Sequence, residues 1–198
     1  MSSEYTNTQP TAKFSESYLV KIHRVGGSEP NGDPTYIGPW TFSTKMVRDV
    51  VEGAIKGRTL NACAGKTHLT HDANIVRNDL NPEREADHHI DVNDALDTFE
   101  PCSFGSVVFD PPFDQKQSEE HYESMHARKL APARKILAQL VKPNGIMVEL
   151  GWNMHSIGEA SDEWHREELH IYHRGPTLQP VFLTVDRRIS RQVTLDYE

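Results

Sequence analysis

The sequence predicts an α/β domain built on a doubly wound, mostly parallel sheet with an antiparallel C-terminal edge strand. Short runs rich in β-branched residues alternate with amphipathic helical stretches, the pattern of a parallel sheet covered by helices on both faces. Acidic residues directly follow several of these runs, at the strand ends where open α/β sheets bind ligands. Two late apolar runs on either side of Arg174-Gly175-Pro176 predict antiparallel strands.

The size and composition of the chain indicate one globular domain. Its 198 residues are 36% hydrophobic and 25% charged, which is enough apolar material for one core and too little chain for two full domains. We expect residues 1–35 to form a polar tail and lead-in, and residues 36–198 to form the single domain.

Composition also excludes several classes of protein. The two cysteines, Cys63 and Cys102, exclude a disulfide scaffold, and we expect a cytoplasmic protein. No apolar run reaches the roughly 20 residues of a membrane-spanning helix. The polar N-terminal residues lack the order of a signal peptide. The formal net charge of -8 argues against non-specific wrapping of nucleic acid, so a nucleic-acid contact would need a local basic patch.

The chain up to Asp110 predicts one long helix and four strands. The helix is capped by Ser43 or Thr44, has apolar residues at helical spacing, and ends at Gly57. Before it, the apolar run 18–22 is either a strand or an arm. The elements that follow the helix are a strand at 58–62, a polar helical turn at 67–73, and strands at 75–80, 89–92 and 106–109.

The rest of the chain predicts one more helix and three strands. Apolar residues at helical spacing indicate a helix over 127–141, with Pro132 in its first turns, where proline costs little. Pro143-Asn144-Gly145 ends this helix. The strands that follow are 146–150, 169–173 and 181–185.

Three carboxylates stand at the ends of consecutive predicted strands. They belong to Asp79, Asp91 and Asp110. Because the carboxyl ends of parallel strands meet at one edge of the sheet, we expect these side chains to lie close together. Acidic groups in such a place suit a ligand that offers hydroxyl or amino groups.

The turn after the first of these strands contains Gly65-Lys66-Thr67, as a phosphate-binding loop does, but Leu60 stands where that loop needs its first glycine. Two interpretations stay open: a simple strand-to-helix turn that uses Gly65, and a cradle for a nucleotide-like cofactor. Asp79 follows Asn61 by 18 residues, close to the spacing at which an acidic residue meets ribose hydroxyls. Its alternative role is a helix cap.

The sequence Asp110-Pro111-Pro112-Phe113 is the most specific feature of the chain. Two successive prolines fix an extended backbone and remove two N–H donors, so the neighbouring carbonyls remain acceptors. The carboxylate of Asp110 and the flat ring of Phe113 complete a set suited to a planar ring that bears an amino group. The alternative is a rigid turn with Phe113 in the core.

These motifs together resemble a class I S-adenosylmethionine-dependent methyltransferase of the kind that methylates amino groups of DNA or RNA bases. The resemblance covers about 39–150 and implies a Rossmann-like methyltransferase sheet. The matching segments are Pro39–Thr44, Asn61–Thr67, Asn78–Pro82, His89–Val92 and Ser103–Phe113. The family usually has Asp-Pro-Phe-x-Gly-x-Gly in the second of these, from which Asn61, Cys63 and Thr67 differ.

The resemblance implies S-adenosylmethionine as the cofactor. Asp79 would receive its ribose hydroxyls, Asp91 would hold the adenine amino group, and Gly65 would let the turn approach the methionine moiety. The other cofactor residues that it implies are Phe42, Thr44, Asn61, Ala62, Cys63, Leu80 and Val92.

The resemblance also implies in-line transfer of the methyl group to the exocyclic amino group of a base, with adenine in DNA favoured. Asp110 and the Pro111 carbonyl would hold that amino group, Pro112 would keep the turn extended, and Phe113 would stack on the ring. A base in a duplex would have to be flipped out. The alternatives are a ribosomal-RNA guanine amino-methyltransferase and a non-catalytic partner subunit of the same fold.

The loop 114–125 is the candidate contact with DNA or RNA, and a solvated loop is the alternative. The basic residues on or after it are Lys116, His121, His126, Arg128 and Lys129. A second basic cluster, more typical of a solvated face, consists of Arg187, Arg188 and Arg191. His68 and His71 lack the partners of a metal site, so we predict no metal. The oligomeric state is open between monomer and homodimer.

Overall fold

The computed structural model describes residues 17–26, 36–38, 40–70, 74–112 and 130–189. Its strands are β1 (Leu19–Arg24), β2 (Thr59–Asn61), β3 (Ile75–Arg77), β4 (Phe104–Phe109), β5 (Val141–Gly151), β6 (Trp164–His173) and β7 (Val181–Arg188). Its helices are α1 (Lys45–Ala54), α2 (Ala95–Thr98), α3 (Leu130–Leu140) and α4 (Ile157–Ala160), with 3-10 turns at Thr41–Ser43 and Val92–Asp94. The strands form one sheet in the order β1-β6-β7-β5-β4-β2-β3.

The described sheet is parallel except at β7. This strand lies antiparallel to both of its neighbours, β5 and β6, whereas every other described pair of strands is parallel. The predicted doubly wound, mostly parallel sheet with an antiparallel C-terminal strand is therefore confirmed. The apolar run near residue 20 forms strand β1, which extends the sheet beyond β6.

Helices cover both faces of the sheet. Successive residues of a strand point to opposite faces, so Val107 packs in the core under α2 and α3, and Val108 packs in the core under α1. The central strands are buried on both sides, which is why they read as continuous apolar runs in the sequence. None of the helices in the described ranges is long and apolar enough to cross a membrane.

The strand predicted at 89–92 does not form, and that prediction is wrong. Beyond β3 the described sheet continues only as one isolated bridge between Asn78 and His88. The Asn78 side chain takes over the pairing, because its Nδ2 donates to the carbonyls of Ala62 (3.0 Å) and Ile90 (3.1 Å). Its Oδ1 accepts from the Ile90 N–H at 3.0 Å. A carboxamide thus supplies the hydrogen bonds that a third strand would have supplied.

Helix α3 passes directly into β5, earlier than the sequence predicts. Val141 already pairs with Phe104, and residues 142–145 bulge out before regular pairing resumes. Asn144 has a left-handed φ of 62°. A Cβ at Gly145 would lie 2.6 Å from the Val141 side chain, so only glycine fits there. The Pro-Asn-Gly sequence therefore forms a bulge within the strand instead of a loop before it.

Gly105→Ala should lower the free energy of unfolding by about 2–4 kcal/mol, because a Cβ there would lie 2.4 Å from the Lys56 carbonyl oxygen. The matched control is Gly53→Ala in α1, where nothing outside the helix's own turns lies within 4 Å. Alanine should stabilise that site by about 0.5–1 kcal/mol. Urea unfolding followed by circular dichroism measures both values, and equal stability of the two variants would contradict the close packing at Gly105.

Candidate functional site

The carboxyl ends of β2, β3 and β4 converge on the thiol of Cys63. The residue is buried, with 8% of its surface exposed. Burial raises the pKa of Cys63 well above its usual value, and the charges of Asp110, Asp79 and Asp91 add to this effect. The thiol therefore stays protonated and acts as a small apolar group among three carboxylates.

The turn after β2 is held from three sides. Gly65 has a left-handed φ of 59°, and a Cβ there would lie 3.2 Å from the ring of Trp40. The Gly65 N–H donates to Asp79 Oδ2 at 2.8 Å. The Arg77 guanidinium donates to the Gly65 carbonyl at 3.1 Å and to the Thr67 carbonyl at 2.8 Å. The turn therefore has a defined shape, in which a side chain at position 65 would meet the indole.

Asp79 joins two turns through its carboxylate. The residue is 3% exposed, and while Oδ2 accepts from Gly65, Oδ1 accepts from the Asn81 N–H at 3.0 Å. Each carboxylate oxygen has more than one acceptor site, so these two bonds do not exhaust the group. The neighbouring Leu80 is partly buried against the core.

Asp91 caps the 3-10 turn that follows it. Its Oδ1 accepts from the backbone N–H of Asn93 at 2.9 Å and from the side-chain Nδ2 of the same residue at 2.8 Å. Val92 and Ala62, which the sequence analysis also placed at the cofactor, are both buried in the core on the α2–α3 face of the sheet. They lie beside the strand ends and contribute through packing.

Asp110 ends β4 and is half-buried, whereas Pro111 and Pro112 are buried. Burial raises the pKa of Asp110 to about 7, against a side-chain hydrogen bond with Thr41 that lowers it. The carboxyl is therefore in a position where both protonation states are populated near neutral pH. Phe113 lies outside the described residues.

Asn61 is buried at the end of β2 with a side chain that lacks protein partners. It is 0% exposed, and neither its Nδ2 nor its Oδ1 has a hydrogen-bond partner among the described residues. Its backbone pairs with Val108, and residues in register share a face, so Asn61 lies on the same face as Asp110 two residues further on. Buried amides of this kind are satisfied by water or a ligand.

The segment before α1 covers that same face. Thr41 and Phe42 are buried, and the Phe42 carbonyl accepts from Arg48 at 3.1 Å. Thr44 stands at the N-cap position of α1, but its hydroxyl donates to the Tyr36 carbonyl at 2.8 Å and not to the helix. Phe42 and Thr44 therefore fix the segment in place.

Three residues at this site were not among the candidates predicted from the sequence: Trp40, Thr41 and Arg77. Trp40 and Thr41 lie within Pro39–Thr44, a segment that the resemblance indicates as a whole. Arg77 stands two residues before Asp79, and only its contacts with the Gly65 turn reveal its role.

Of the two predicted basic clusters, the structure describes only Arg187 and Arg188. The loop 114–125 and the basic residues up to Lys129 lie outside the described residues, as does Arg191. Arg187 donates to Glu167, with Nη2 2.9 Å from Oε2, and Arg188 donates to the Val141 carbonyl. These two arginines thus serve contacts within the sheet. Among the described residues, no group of three or more His, Cys, Asp or Glu side chains is placed to hold a metal ion.

Comparisons with known proteins identify the fold. No protein-family model and no curated protein sequence matches the chain. Solved structures do match, and three of them have a TM-score of 0.51. The 1,6-didemethyltoxoflavin-N1-methyltransferase of Burkholderia thailandensis is 10% identical, over 72% of this chain and 76% of its own. The N-methyltransferase NodS of Bradyrhizobium japonicum WM9, in complex with S-adenosyl-L-homocysteine, is 13% identical, over 81% and 94%. The putative methyltransferase yhhF of Escherichia coli is 10% identical, over 85% and 98%.

These likenesses define the class of fold. The protein has the mostly parallel, Rossmann-like sheet of class I S-adenosylmethionine-dependent methyltransferases, with β7 as its antiparallel strand. At this level of identity the likeness concerns the fold. The chemistry of the site therefore depends on the residues at the strand ends.

Asp110 should make stability depend on pH. Because burial raises the pKa of its carboxyl from 3.8 to about 7, the folded state binds a proton more tightly than the unfolded chain does between these values. Stability contributed by this group therefore falls as the pH rises through that window. Asp110→Asn should be more stable than the wild type by about 2–4 kcal/mol at pH 8, with a difference that shrinks towards pH 4.

Guanidinium unfolding at pH 4, 6 and 8 measures this difference. The control is Asp97→Asn on the exposed side of α2, which removes a carboxylate that is not buried. A difference between wild type and Asp110→Asn that stays constant across the three pH values would show that Asp110 is not desolvated.

Proposed function

We propose that the protein is an S-adenosylmethionine-dependent methyltransferase that transfers a methyl group to the exocyclic amino group of a nucleic-acid base, with adenine in DNA favoured. The end of β4 is the observation that carries this proposal. There Asp110 presents a half-buried carboxyl, and the two prolines after it have no N–H to donate. The group offers acceptors, which is what an amino group requires.

Features at the end of β2 support a cofactor that has hydroxyl and amino groups. The buried carboxamide of Asn61 lacks partners among the described residues, and Asp79 and Asp91 add acceptors nearby. Gly65 lets the backbone of the turn come close to a neighbouring group. These four residues would hold S-adenosylmethionine, which when bound supplies a methyl group activated by its sulfonium charge. The solved structure of NodS contains the demethylated product of this cofactor.

The proposed role of Asp110 follows from the positive charge that develops on the target nitrogen. The lone pair of an exocyclic amine is delocalised into its ring, and positive charge grows on the nitrogen as a methyl group is added. Acceptors at Asp110 and at the Pro111 carbonyl would localise that lone pair and stabilise the growing charge. No covalent intermediate is needed, so the protein supplies position and electrostatics. Stacking of the base on Phe113 is part of the same proposal.

A ribosomal-RNA guanine amino-methyltransferase is the second candidate, because the same acceptors suit the amino group of guanine. A third is a partner subunit with the fold and without the reaction. In each case we propose that the nucleic acid contacts a local basic patch at 114–129, in a cytoplasmic monomer or homodimer. Two of the structural neighbours are N-methyltransferases by name, which supports transfer to nitrogen.

Incubation with methyl-labelled S-adenosylmethionine and separate acceptors tests these candidates. Duplex DNA with adenine, DNA without adenine, and ribosomal RNA stripped of its methyl groups form the three arms. Label in the first arm alone supports adenine methylation in DNA, and label in the RNA arm alone supports the second candidate. Cofactor binding without label in any arm would favour the partner subunit and overturn the proposed reaction.

Asp79→Ala should weaken S-adenosylmethionine binding by about 10- to 100-fold. It removes a charged acceptor worth about 1.5–3 kcal/mol, and the Gly65 turn loses the bond that shapes it. Isothermal titration calorimetry gives the dissociation constant, and Asp97→Ala is the matched control at an exposed position. If Asp79→Ala binds the cofactor as tightly as the wild type, Asp79 is not part of the cofactor site.

Asp110→Ala should lower the rate of methyl transfer by about 100- to 1000-fold while leaving most of the cofactor affinity. The reason is that its acceptor contact matters most when positive charge grows on the target nitrogen. Single-turnover rates with the acceptor that the wild type methylates, and calorimetry with the cofactor, separate the two effects. Transfer at the wild-type rate would remove Asp110 from the reaction.

A further inference from the structure

Two histidines join β1 to its neighbour β6. The strands are parallel, and on one face Lys21 and His23 of β1 stand in register with His170 and Tyr172 of β6. His23 Nε2 lies 2.9 Å from His170 Nδ1, and the planes of the two rings are parallel to within 7°. His23 also stacks on Tyr172, with 4.6 Å between the ring centroids. We call His23 and His170 the histidine pair.

The partners of the histidine pair fix where its protons lie. Glu168 Oε2 accepts from Lys21 Nζ at 2.9 Å and lies 2.8 Å from His170 Nε2. Because a carboxylate only accepts, His170 carries its proton on Nε2, and in the neutral ring Nδ1 is then an acceptor. The bond between the rings therefore requires a proton on His23 Nε2. Each group donates to the next, from His23 through His170 to Glu168.

Strand β1 gains little from the burial of apolar side chains. Its residues Leu19, Val20 and Ile22 are 51%, 49% and 74% exposed. In the described sheet it is an outer strand that pairs with β6 alone. Besides the backbone bonds, the side-chain contacts of the histidine pair and of Lys21 therefore set the register of β1 on β6.

The histidine pair can accept one further proton without losing its hydrogen bond, but not two. With one added proton, an N–H on one ring still faces an acceptor nitrogen on the other. With two, N–H groups meet across the 2.9 Å gap and each ring carries a positive charge. Burial lowers the pKa of both rings, and the charge of Lys21 acts in the same direction, whereas Glu168 opposes it at His170.

The surroundings of the histidine pair offer one compensating charge. Among the described residues, the charged groups that act on the two rings are Lys21 and Glu168. Burial raises the pKa of Tyr172 above its usual range, so its phenol stays neutral. On the other side of β6, the β7 residues in register with this part of the strand are buried and apolar. They are Val181, Leu183 and Val185.

We propose that the histidine pair is an acid-sensitive latch for β1, which holds the strand on the sheet with no more than one added proton and releases it on the second. The inference goes beyond the proposed methyl transfer and does not depend on it. Val25, directly after β1, donates to the His173 carbonyl at 3.0 Å and is buried in the same apolar core as Phe42. Release of β1 would therefore withdraw a core residue from the α1 face of the sheet.

Amide hydrogen exchange of β1 and Val25, measured by NMR between pH 4 and 8 as protection relative to an unstructured peptide, tests the latch. In acid the released rings hold one proton more than the latched pair, so protection should fall about tenfold for each pH unit below about 6. His23→Gln should remove this dependence, because a carboxamide can donate to His170 or accept from it. His173→Gln, at an exposed position of the same β6, is the matched control and should keep it.

The second measurement needs no variant. Nitrogen NMR of the histidine rings in the wild type shows which nitrogen carries the proton, and at pH 8 we expect Nε2 for both His23 and His170. The pair should then take up its two protons in two separate steps. Protection of β1 that stays constant from pH 8 to 4, or that falls equally in His23→Gln, would overturn the latch. A proton on His170 Nδ1 at pH 8 would overturn it as well.

Discussion

The convergence of the site depends on the carboxamide of Asn78. Its Nδ2 donates to the carbonyls of Ala62 and Ile90, and its Oδ1 accepts from the N–H of Ile90. The residues that directly follow Ala62, Asn78 and Ile90 along the chain are Cys63, Asp79 and Asp91. Asn78 is buried, and in such surroundings an unmade hydrogen bond costs more than it does in water. One side chain thus joins all three segments, in addition to the backbone hydrogen bonds that Asn78 makes with Asn61 and Ala64.

Outside this site, the two buried carboxylates among the described residues are paired with arginine. Glu149 bonds to Arg134 at 2.5 Å, and Asp186 bonds to Arg166 at 3.3 Å. The same carboxylates also accept from the N–H groups of Ile157 and Gly158, and so fix the segment after β5 onto the sheet. At Asp110, by contrast, burial raises the pKa of the carboxyl to about 7, and none of the arginine ion pairs among the described residues involves it. That arrangement favours a ligand that carries positive charge or develops it during reaction, which agrees with a sulfonium cofactor and an amine under attack.

The sequence predicted the elements whose hydrogen bonds come from the backbone. Strands β4 and β5 read as apolar runs because they are buried on both faces, and α1 reads as a helix because one side of it is apolar. The prediction of a strand at 89–92 was wrong, because the Asn78 side chain makes the hydrogen bonds that such a strand would make. A periodicity of apolar residues does not indicate that a side chain replaces strand pairing in this way. Trp40 was missed for a related reason, because its partner Gly65 is 25 residues away and only the packed turn over the sheet brings the two together.

Asn61 also affects the charge at this edge of the sheet. The family that the sequence resembles has an acid at this position. Position 61 pairs in register with Val108, two residues before Asp110, so a carboxylate there would share a face of the sheet with Asp110. Like charges so placed favour the protonated form, so an acid at position 61 would act in the same direction as the burial that already raises the pKa of Asp110. The proposed reaction needs the ionised form at neutral pH. A carboxamide keeps a buried donor and acceptor at the end of β2 without adding a second negative charge on the face of the sheet that carries Asp110.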